Sequence, residues 1–148
     1  MVNILLAALL AWCSAIPSAE RPSEEVLRPW AEATAAHCGD DAKRCIFLAA
    51  LAFEETGFRP HVLNGDCNDA AWRAAHAPKL CDGGEAFGPW QIHYGPWLHG
   101  ADPRGASPDE QARIAASLRE GAWAPVTRRL AHVLANQWAA KHSTSWRR

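Results

Sequence analysis

The chain has 148 residues, 49% of them hydrophobic, and a formal net charge of −1. This length supports one compact core and is short for two ordinary domains. Residues 1–103 carry 7 basic and 13 acidic side chains, whereas residues 104–148 carry 8 basic and 3 acidic ones. The overall balance argues against a dedicated nucleic-acid-binding protein, while the basic C-terminal part could meet an anionic polymer or surface.

The N-terminus is typical of an export signal. Residues 4–12 form an unbroken apolar run that is too short to span a bilayer, and Pro17-Ser18-Ala19 follows it. We therefore predict a signal peptide over residues 1–19 and a mature domain over 20–148, with no stable membrane insertion after removal of the leader. No Lys or Arg precedes the run, so an apolar helix that belongs to the fold is the alternative.

Cysteine usage also indicates export, because removal of the leader leaves four of the five cysteines: Cys38, Cys45, Cys67 and Cys81. An even number in a small exported domain predicts two disulfides and a periplasmic or secreted location. Three pairings are possible, of which Cys38 with Cys45 and Cys67 with Cys81 are the local and simplest. The alternative is a zinc site of Cys67, His76 and Cys81. No C-x-x-C pair or H-E-x-x-H motif supports it, and we expect neither a metal nor another cofactor.

Helical patterns dominate the first part of the mature chain. A first helix is expected near Pro29 to His37, with Pro29 in its first turn. A second helix, capped by one of the two preceding aspartates, is expected over about 42–56. Because the run from Cys45 to Phe53 has no polar side chain, this helix should lie at the centre of the core.

The second part of the chain begins with a change of composition. From Gly57 to about Gly105 the residues are rich in Gly, Pro, Asn, Asp and aromatics, which predicts a long structured loop region with a short hairpin or helix near 70–77. Ser107-Pro108-Asp109-Glu110 is a capping box that opens another helix. Pro125 can open the last helix, where five residues form an apolar stripe outside which Arg128 and Arg129 lie: Val126, Leu130, Val133, Leu134 and Trp138.

The candidate chemistry is concentrated at the end of the central helix. Leu48, Leu51, Ala52 and Glu55 share one helical face, which brings a carboxylate to the edge of an apolar surface and should raise its pKa. A carboxylic acid that stays protonated near neutral pH can donate its proton to a glycosidic oxygen. From spacing alone, a solvated carboxylate is an equal alternative, and Glu54 competes with Glu55.

Two segments resemble motifs of one enzyme superfamily. Glu55-Thr56-Gly57-Phe58-Arg59-Pro60 is similar to the E-S-x-F-x-P segment that carries the catalytic glutamate of lysozymes and soluble lytic transglycosylases. The segment from Asp82 to Ile92, D-G-G-E-A-F-G-P-W-Q-I, resembles the D-G-x-x-D-Y-G-x-x-Q-I hairpin of animal-type lysozymes and the G-A-x-G-L-M-Q-I motif of the transglycosylases. The resemblance covers about residues 42–97. It implies a mainly α, lysozyme-like α+β fold, in which a small helical domain surrounds a buried central helix and the loop and hairpin region forms the cleft.

The resemblance also implies roles for individual residues. It selects Glu55 as the catalytic acid and base, and it brings Gly88 and Gln91 to the sugar. Trp90 and Tyr94 complete the predicted substrate contacts, because sugar rings stack on aromatic planes. No Y-N-x-G motif follows, so either a residue such as Tyr94 takes the place of the family's positioning tyrosine or the cleft differs.

The implied substrate is the peptidoglycan glycan strand, cleaved at the β-1,4 bond between N-acetylmuramic acid and N-acetylglucosamine. Ala86 stands where animal-type lysozymes have their second carboxylate, and Glu85 is its possible substitute. The departure favours a lytic transglycosylase that gives 1,6-anhydromuramic products. We separately expect the protein to be a monomer. The alternatives are a hydrolytic muramidase and a non-catalytic glycan-binding or phage structural module of the same fold.

Overall fold

The computed structural model describes residues 1–146, with side chains described through residue 142. The chain is mainly helical, as predicted, and its two short strands pair antiparallel. Three 3₁₀ turns, at Asp66–Asn68, Pro96–Leu98 and Glu120–Ala122, lie between the helices. The helices are α1 (Val2–Cys13), α2 (Glu24–His37), α3 (Ala42–Thr56), α4 (Pro60–Leu63), α5 (Ala70–Ala75), α6 (Leu80–Gly83), α7 (Pro108–Ser117) and α8 (Pro125–Trp146), and the strands are β1 (Ala86–Phe87) and β2 (Ile92–His93).

Helix α3 is the buried central helix that the sequence predicts over 42–56. The Asp41 side chain caps its first turn by accepting a hydrogen bond from the Lys43 backbone N–H. Gly57 ends the helix in the left-handed conformation, with φ 61°. Every residue from Cys45 to Ala52 is buried, and α3 packs against α1, α2 and α8. The helix therefore carries its last residues to the edge of the core.

Helix α2 begins five residues earlier than predicted, so Pro29 lies inside it rather than in its first turn. The Ser23 hydroxyl caps the helix by accepting from the Val26 N–H, and Glu24 and Glu25 lie in the first turn. These groups stabilise the positive end of the helix. Pro29 lacks the N–H that would bond to Glu25, but both residues are exposed, so water can satisfy the carbonyl oxygen.

The predicted N-cap at Ser107 is confirmed, because the Ser107 side chain accepts a hydrogen bond from the Glu110 N–H at the start of α7. The Glu110 carboxylate accepts from Arg113 rather than completing the capping box. The predicted stripe on α8 is only partly buried. Leu134 and Trp138 are half-buried, whereas Val126, Leu130 and Val133 are exposed. The core-facing side of α8 is instead formed by small residues, Ala131 and Ala135, which let this helix approach α3 closely.

The N-terminal helix α1 packs against α2 and α3. Leu5 and Leu9 are completely buried, and the Trp12 ring centroid lies 5.9 Å from that of Phe53. Cleavage after Ala19 stays a prediction, and it would remove this helix from the core. Among the described residues, no helix combines the length and the apolar character needed to cross a membrane.

Candidate active site

Glu55 lies in the last turn of α3 and is half-buried. Burial raises the pKa of its carboxyl group, and a hydrogen bond from the Thr127 side chain, in the first turn of α8, lowers it by a smaller amount. Burial alone raises the pKa of Glu54. Both carboxyl groups therefore have the raised pKa that the apolar helix predicts, and the partner on α8 distinguishes Glu55.

The two sequence motifs meet through the residue that follows Glu55. The buried Thr56 hydroxyl lies 3.1 Å from the carbonyl oxygen of Pro89 and 3.2 Å from that of Ala52. The same hydroxyl oxygen accepts a hydrogen bond from the Phe58 backbone N–H. The end of α3 and the turn of the second motif are thus held together inside the protein.

The second motif forms a tight hairpin. Ala86 pairs with His93 and Phe87 pairs with Ile92, and the turn between them closes with a hydrogen bond from the Gln91 N–H to the Gly88 carbonyl oxygen. Gly88 has φ 69° and Gln91 has φ 51°. Gln91 therefore has a left-handed backbone conformation, which residues other than glycine adopt at a cost of order 1 kcal/mol.

Left-handed backbone conformations at non-glycine residues recur around this region. Strain of this kind clusters at functional sites in many proteins. Among the described residues, five non-glycine residues adopt this conformation, and all of them lie within the long loop region that follows α3: Phe58, Cys81, Asp82, Gln91 and His99.

Gly88 is closely packed against α7. A Cβ atom at Gly88 would lie 2.5 Å from Oε1 of Gln111. The space that the resemblance assigns to a sugar beside this glycine is therefore filled by the Gln111 side chain. Sequence reasoning missed Gln111, because nothing in its local pattern links it to a turn more than twenty residues earlier.

Trp90 is a core residue in the structure, with 0% exposure. Its indole N–H donates to the Leu48 carbonyl oxygen at 2.8 Å, and its own carbonyl oxygen accepts from the Trp123 indole N–H at 2.9 Å. These bonds anchor the hairpin to α3 and to the segment that leads into α8. In this arrangement no face of the Trp90 ring is open to a sugar.

The other predicted contacts differ in their exposure. The Gln91 side chain folds back on its own turn and donates to the Gly88 carbonyl oxygen at 3.0 Å. Tyr94 is exposed, and the Arg104 guanidinium lies 3.9 Å from its ring centroid. Glu85 is exposed and lies in the turn before β1, whereas the adjacent Ala86, the first residue of β1, is buried.

A depression of about 390 Å³ lies beside the hairpin. The residues that line it include Gln91, His93 and Trp97 from the hairpin region and Leu118 and Trp123 from the segment between α7 and α8. Trp123 precedes the first turn of α8, where Thr127 contacts Glu55. The depression therefore adjoins the segment that leads to the Glu55 carboxyl group.

Two residues that line this depression, one polar and one aromatic, are not part of the predicted site. His93 Nε2 lies 3.1 Å from Oδ2 of Asp82. Trp97 is 57% exposed, and its ring packs against Gly95, where a Cβ atom would be 2.1 Å from the indole. The tripeptide Gly-Pro-Trp occurs twice and ends at Trp90 and at Trp97, so no local sequence signal distinguishes the exposed Trp97 from the buried Trp90.

Both predicted local disulfides are present, between Cys38 and Cys45 and between Cys67 and Cys81. The second bond takes two of the three ligands of the alternative zinc site. Over residues 1–146 no group of three or more His, Cys, Asp and Glu side chains could hold a metal ion. Cys13 is a buried free cysteine, and burial raises the pKa of its thiol to about 11.

Comparisons of the chain with protein families, with curated proteins and with solved structures find no match.

Proposed function

We propose that the protein cleaves peptidoglycan glycan strands, with Glu55 as the catalytic acid and base. The observation that carries this proposal is the half-buried carboxyl group at the end of the apolar central helix, one residue before Thr56, whose hydroxyl contacts the Pro89 carbonyl oxygen. Two disulfides are typical of proteins in oxidising compartments, which supports a periplasmic or secreted enzyme. The lysozyme-like architecture is part of the same proposal.

The two influences on the Glu55 pKa suit a group that must both give and take a proton. Burial favours the protonated acid, which donates to the glycosidic oxygen while the bond from that oxygen to the anomeric carbon breaks. The Thr127 hydrogen bond stabilises the carboxylate that results. That carboxylate can then take the proton of the muramic C6 hydroxyl while the oxygen of the same hydroxyl bonds to the anomeric carbon.

This route gives a 1,6-anhydromuramic product without a second carboxylate. A hydrolytic glycosidase needs a second carboxyl group about 5 Å away if it retains configuration, or about 6.5 to 9.5 Å away if it inverts. At the position expected for that group the chain has the buried Ala86, and Glu85 is an exposed residue of the turn that precedes the strand. A lytic transglycosylase is therefore the better-supported reaction type.

Mass spectrometry of the soluble products from purified peptidoglycan tests the proposal. We expect muropeptides that lack one water relative to hydrolytic products. Glu55→Gln should release almost nothing, while the neighbouring Glu54→Gln, the matched control, should retain most activity. Products with a reducing-end muramic acid would instead identify a muramidase, and loss of activity only in Glu54→Gln would show that the motif is shifted by one residue.

A non-catalytic glycan-binding module is the second candidate. It is favoured by the exposed Trp97 ring that lines the depression beside the hairpin, because an aromatic plane can hold a sugar without any catalytic group. Retention on insoluble peptidoglycan without any release of fragments, unchanged in Glu55→Gln, would support this module and overturn the enzyme.

A further inference from the structure

Helix α8 presents an apolar stripe to the solvent. Val126 is 51% exposed, Leu130 is 44% exposed and Val133 is 45% exposed. Their spacing of four and three residues places all three on one side of the helix. Ala131 and Ala135, which are buried, lie on the other side and face the core. The fold therefore leaves this stripe uncovered in the described part of the chain.

Basic side chains border the stripe on both sides. At 100° per residue, Arg129 lies about 60° to one side of Val126 and Lys141 lies about 60° to the other. Both are exposed, and neither forms a salt bridge with a described residue. An apolar stripe between cations is typical of a helix that lies in the plane of a membrane interface, because the long basic side chains reach the headgroups while their stems stay beside the apolar surface.

The charge of this part of the chain identifies the complementary partner. Residues 125–148 contain five Lys and Arg side chains and no Asp or Glu. Two copies of α8 placed face to face would bring like charges together with no acid on either helix to pair them, which disfavours a dimer through the stripe. An anionic surface pairs with the basic borders while its apolar layer receives the stripe.

We propose that α8 binds the surface of a membrane that contains anionic phospholipids. Val126, Leu130 and Val133 would enter the boundary between headgroups and acyl chains, and Arg129 would contact the phosphate groups. The chain would lie on the membrane without crossing it. Thr127, the partner of Glu55, lies about 100° around the helix from Val126, outside the proposed contact. The inference does not depend on the proposed function, because it uses no residue of the candidate active site.

Cosedimentation of the full chain with lipid vesicles tests the inference. We expect binding to vesicles of phosphatidylglycerol and phosphatidylcholine, and at least about tenfold weaker binding to phosphatidylcholine alone. Raising the salt concentration to about 0.5 M should also weaken the binding, because it screens the charges. No binding to the anionic vesicles, or equal binding to both kinds, would overturn the proposal.

Variants with matched controls locate the contact on α8. Val133→Ser should weaken vesicle binding about three- to tenfold. Val26→Ser on α2 is the same change at nearly the same exposure, 43% against 45%, and should have no effect. Arg129→Glu should weaken binding at least about tenfold, whereas Lys79→Glu, the same change of charge at another exposed position, should have much less effect. Far-UV circular dichroism verifies that the variants fold. Equal effects within either pair would contradict the proposal.

Two further measurements separate the membrane from other partners. We expect the chain to sediment as a monomer without vesicles, and a dimer that Val133→Ser dissociates would assign the stripe to a second copy instead. Binding to polyglutamate that is tighter than binding to the vesicles, with the same response to the variants, would assign it to an acidic protein. Vesicles contain no glycan, so these results are independent of whether Glu55 cleaves peptidoglycan.

Discussion

The Thr56 hydroxyl lies 3.1 Å from the carbonyl oxygen of Pro89, and both atoms are buried. Thr56 follows Glu55 at the end of the central helix, and Pro89 lies in the hairpin turn that carries Gln91. This contact fixes the distance between the proposed acid and the hairpin. Loss of this one hydroxyl group should therefore affect both the local stability and the geometry of the candidate site.

We expect Thr56→Val to destabilise the protein by about 1–3 kcal/mol, because the buried Pro89 carbonyl oxygen loses its donor while the side-chain shape is kept. Thr56→Ser keeps the hydroxyl and should cost less. Urea unfolding followed by Trp fluorescence measures the free energy of unfolding of both variants. Equal stability of Thr56→Val and the wild type would show that this bond contributes nothing.

The parts of the fold that could be predicted are those with strong local signals. The apolar run from Cys45 to Phe53 predicted the central helix, and the residues at 107–110 predicted the start of α7. Both disulfides follow from short separations along the chain. In each case, residues close in sequence determine the result.

The remaining features depend on tertiary packing that local patterns do not contain. A tryptophan beside a glycine turn fits a cleft or a core equally well, and only the bonds of Trp90 to Leu48 and Trp123 show that it belongs to the core. The buried side of α8 is set by its close approach to α3, which small residues allow and which leaves Val126 exposed.

The raised pKa of Glu55 predicts a pH-dependent effect of Glu55→Gln on stability. Folding raises the pKa of this acid above its ordinary value of 4.5, so the folded chain holds the proton more tightly than the unfolded chain. Wild-type stability should therefore fall relative to Glu55→Gln as pH rises above 4.5, through the raised pKa, and the two should differ least in more acidic solution. Urea unfolding at a series of pH values measures the difference.

Relative to the wild type, Thr127→Val should lose stability as pH rises, whereas Glu55→Gln should gain stability. The reason is that Thr127→Val removes the hydrogen bond that lowers the Glu55 pKa. Its loss of stability relative to the wild type should be larger at neutral pH, where the carboxylate is ionised, than in acid.

A difference between Glu55→Gln and the wild type that is constant with pH would contradict the assigned pKa shift.

The number of free thiols tests both the disulfides and the predicted leader. Labelling under denaturing, non-reducing conditions should find no free cysteine if cleavage follows Ala19, because Cys13 leaves with the leader. Retention of α1 would give one labelled thiol, at the buried Cys13. N-terminal sequencing of the exported protein distinguishes the two forms. Four or more reactive thiols would contradict the disulfides and restore the zinc alternative.

The last prediction separates the two tryptophans of the hairpin region. Trp97 is 57% exposed and lines the depression beside Gln91, whereas Trp90 is fully buried. Gly95 lets the Trp97 ring pack closely against the backbone, and a ring held in this way can stack on a sugar without losing much side-chain freedom.

We therefore expect Trp97→Ala to weaken binding to purified peptidoglycan by about three- to tenfold with little change in the free energy of unfolding. Trp90→Ala should instead destabilise the protein by about 3–5 kcal/mol, because it removes a large side chain from the core. Trp97→Phe, which keeps an aromatic plane, should retain most of the affinity. Sedimentation with insoluble peptidoglycan measures binding, and urea unfolding measures stability. Among the residues that line this depression, Trp97 carries the only exposed aromatic ring. Wild-type affinity in Trp97→Ala would therefore show that the glycan does not contact the depression.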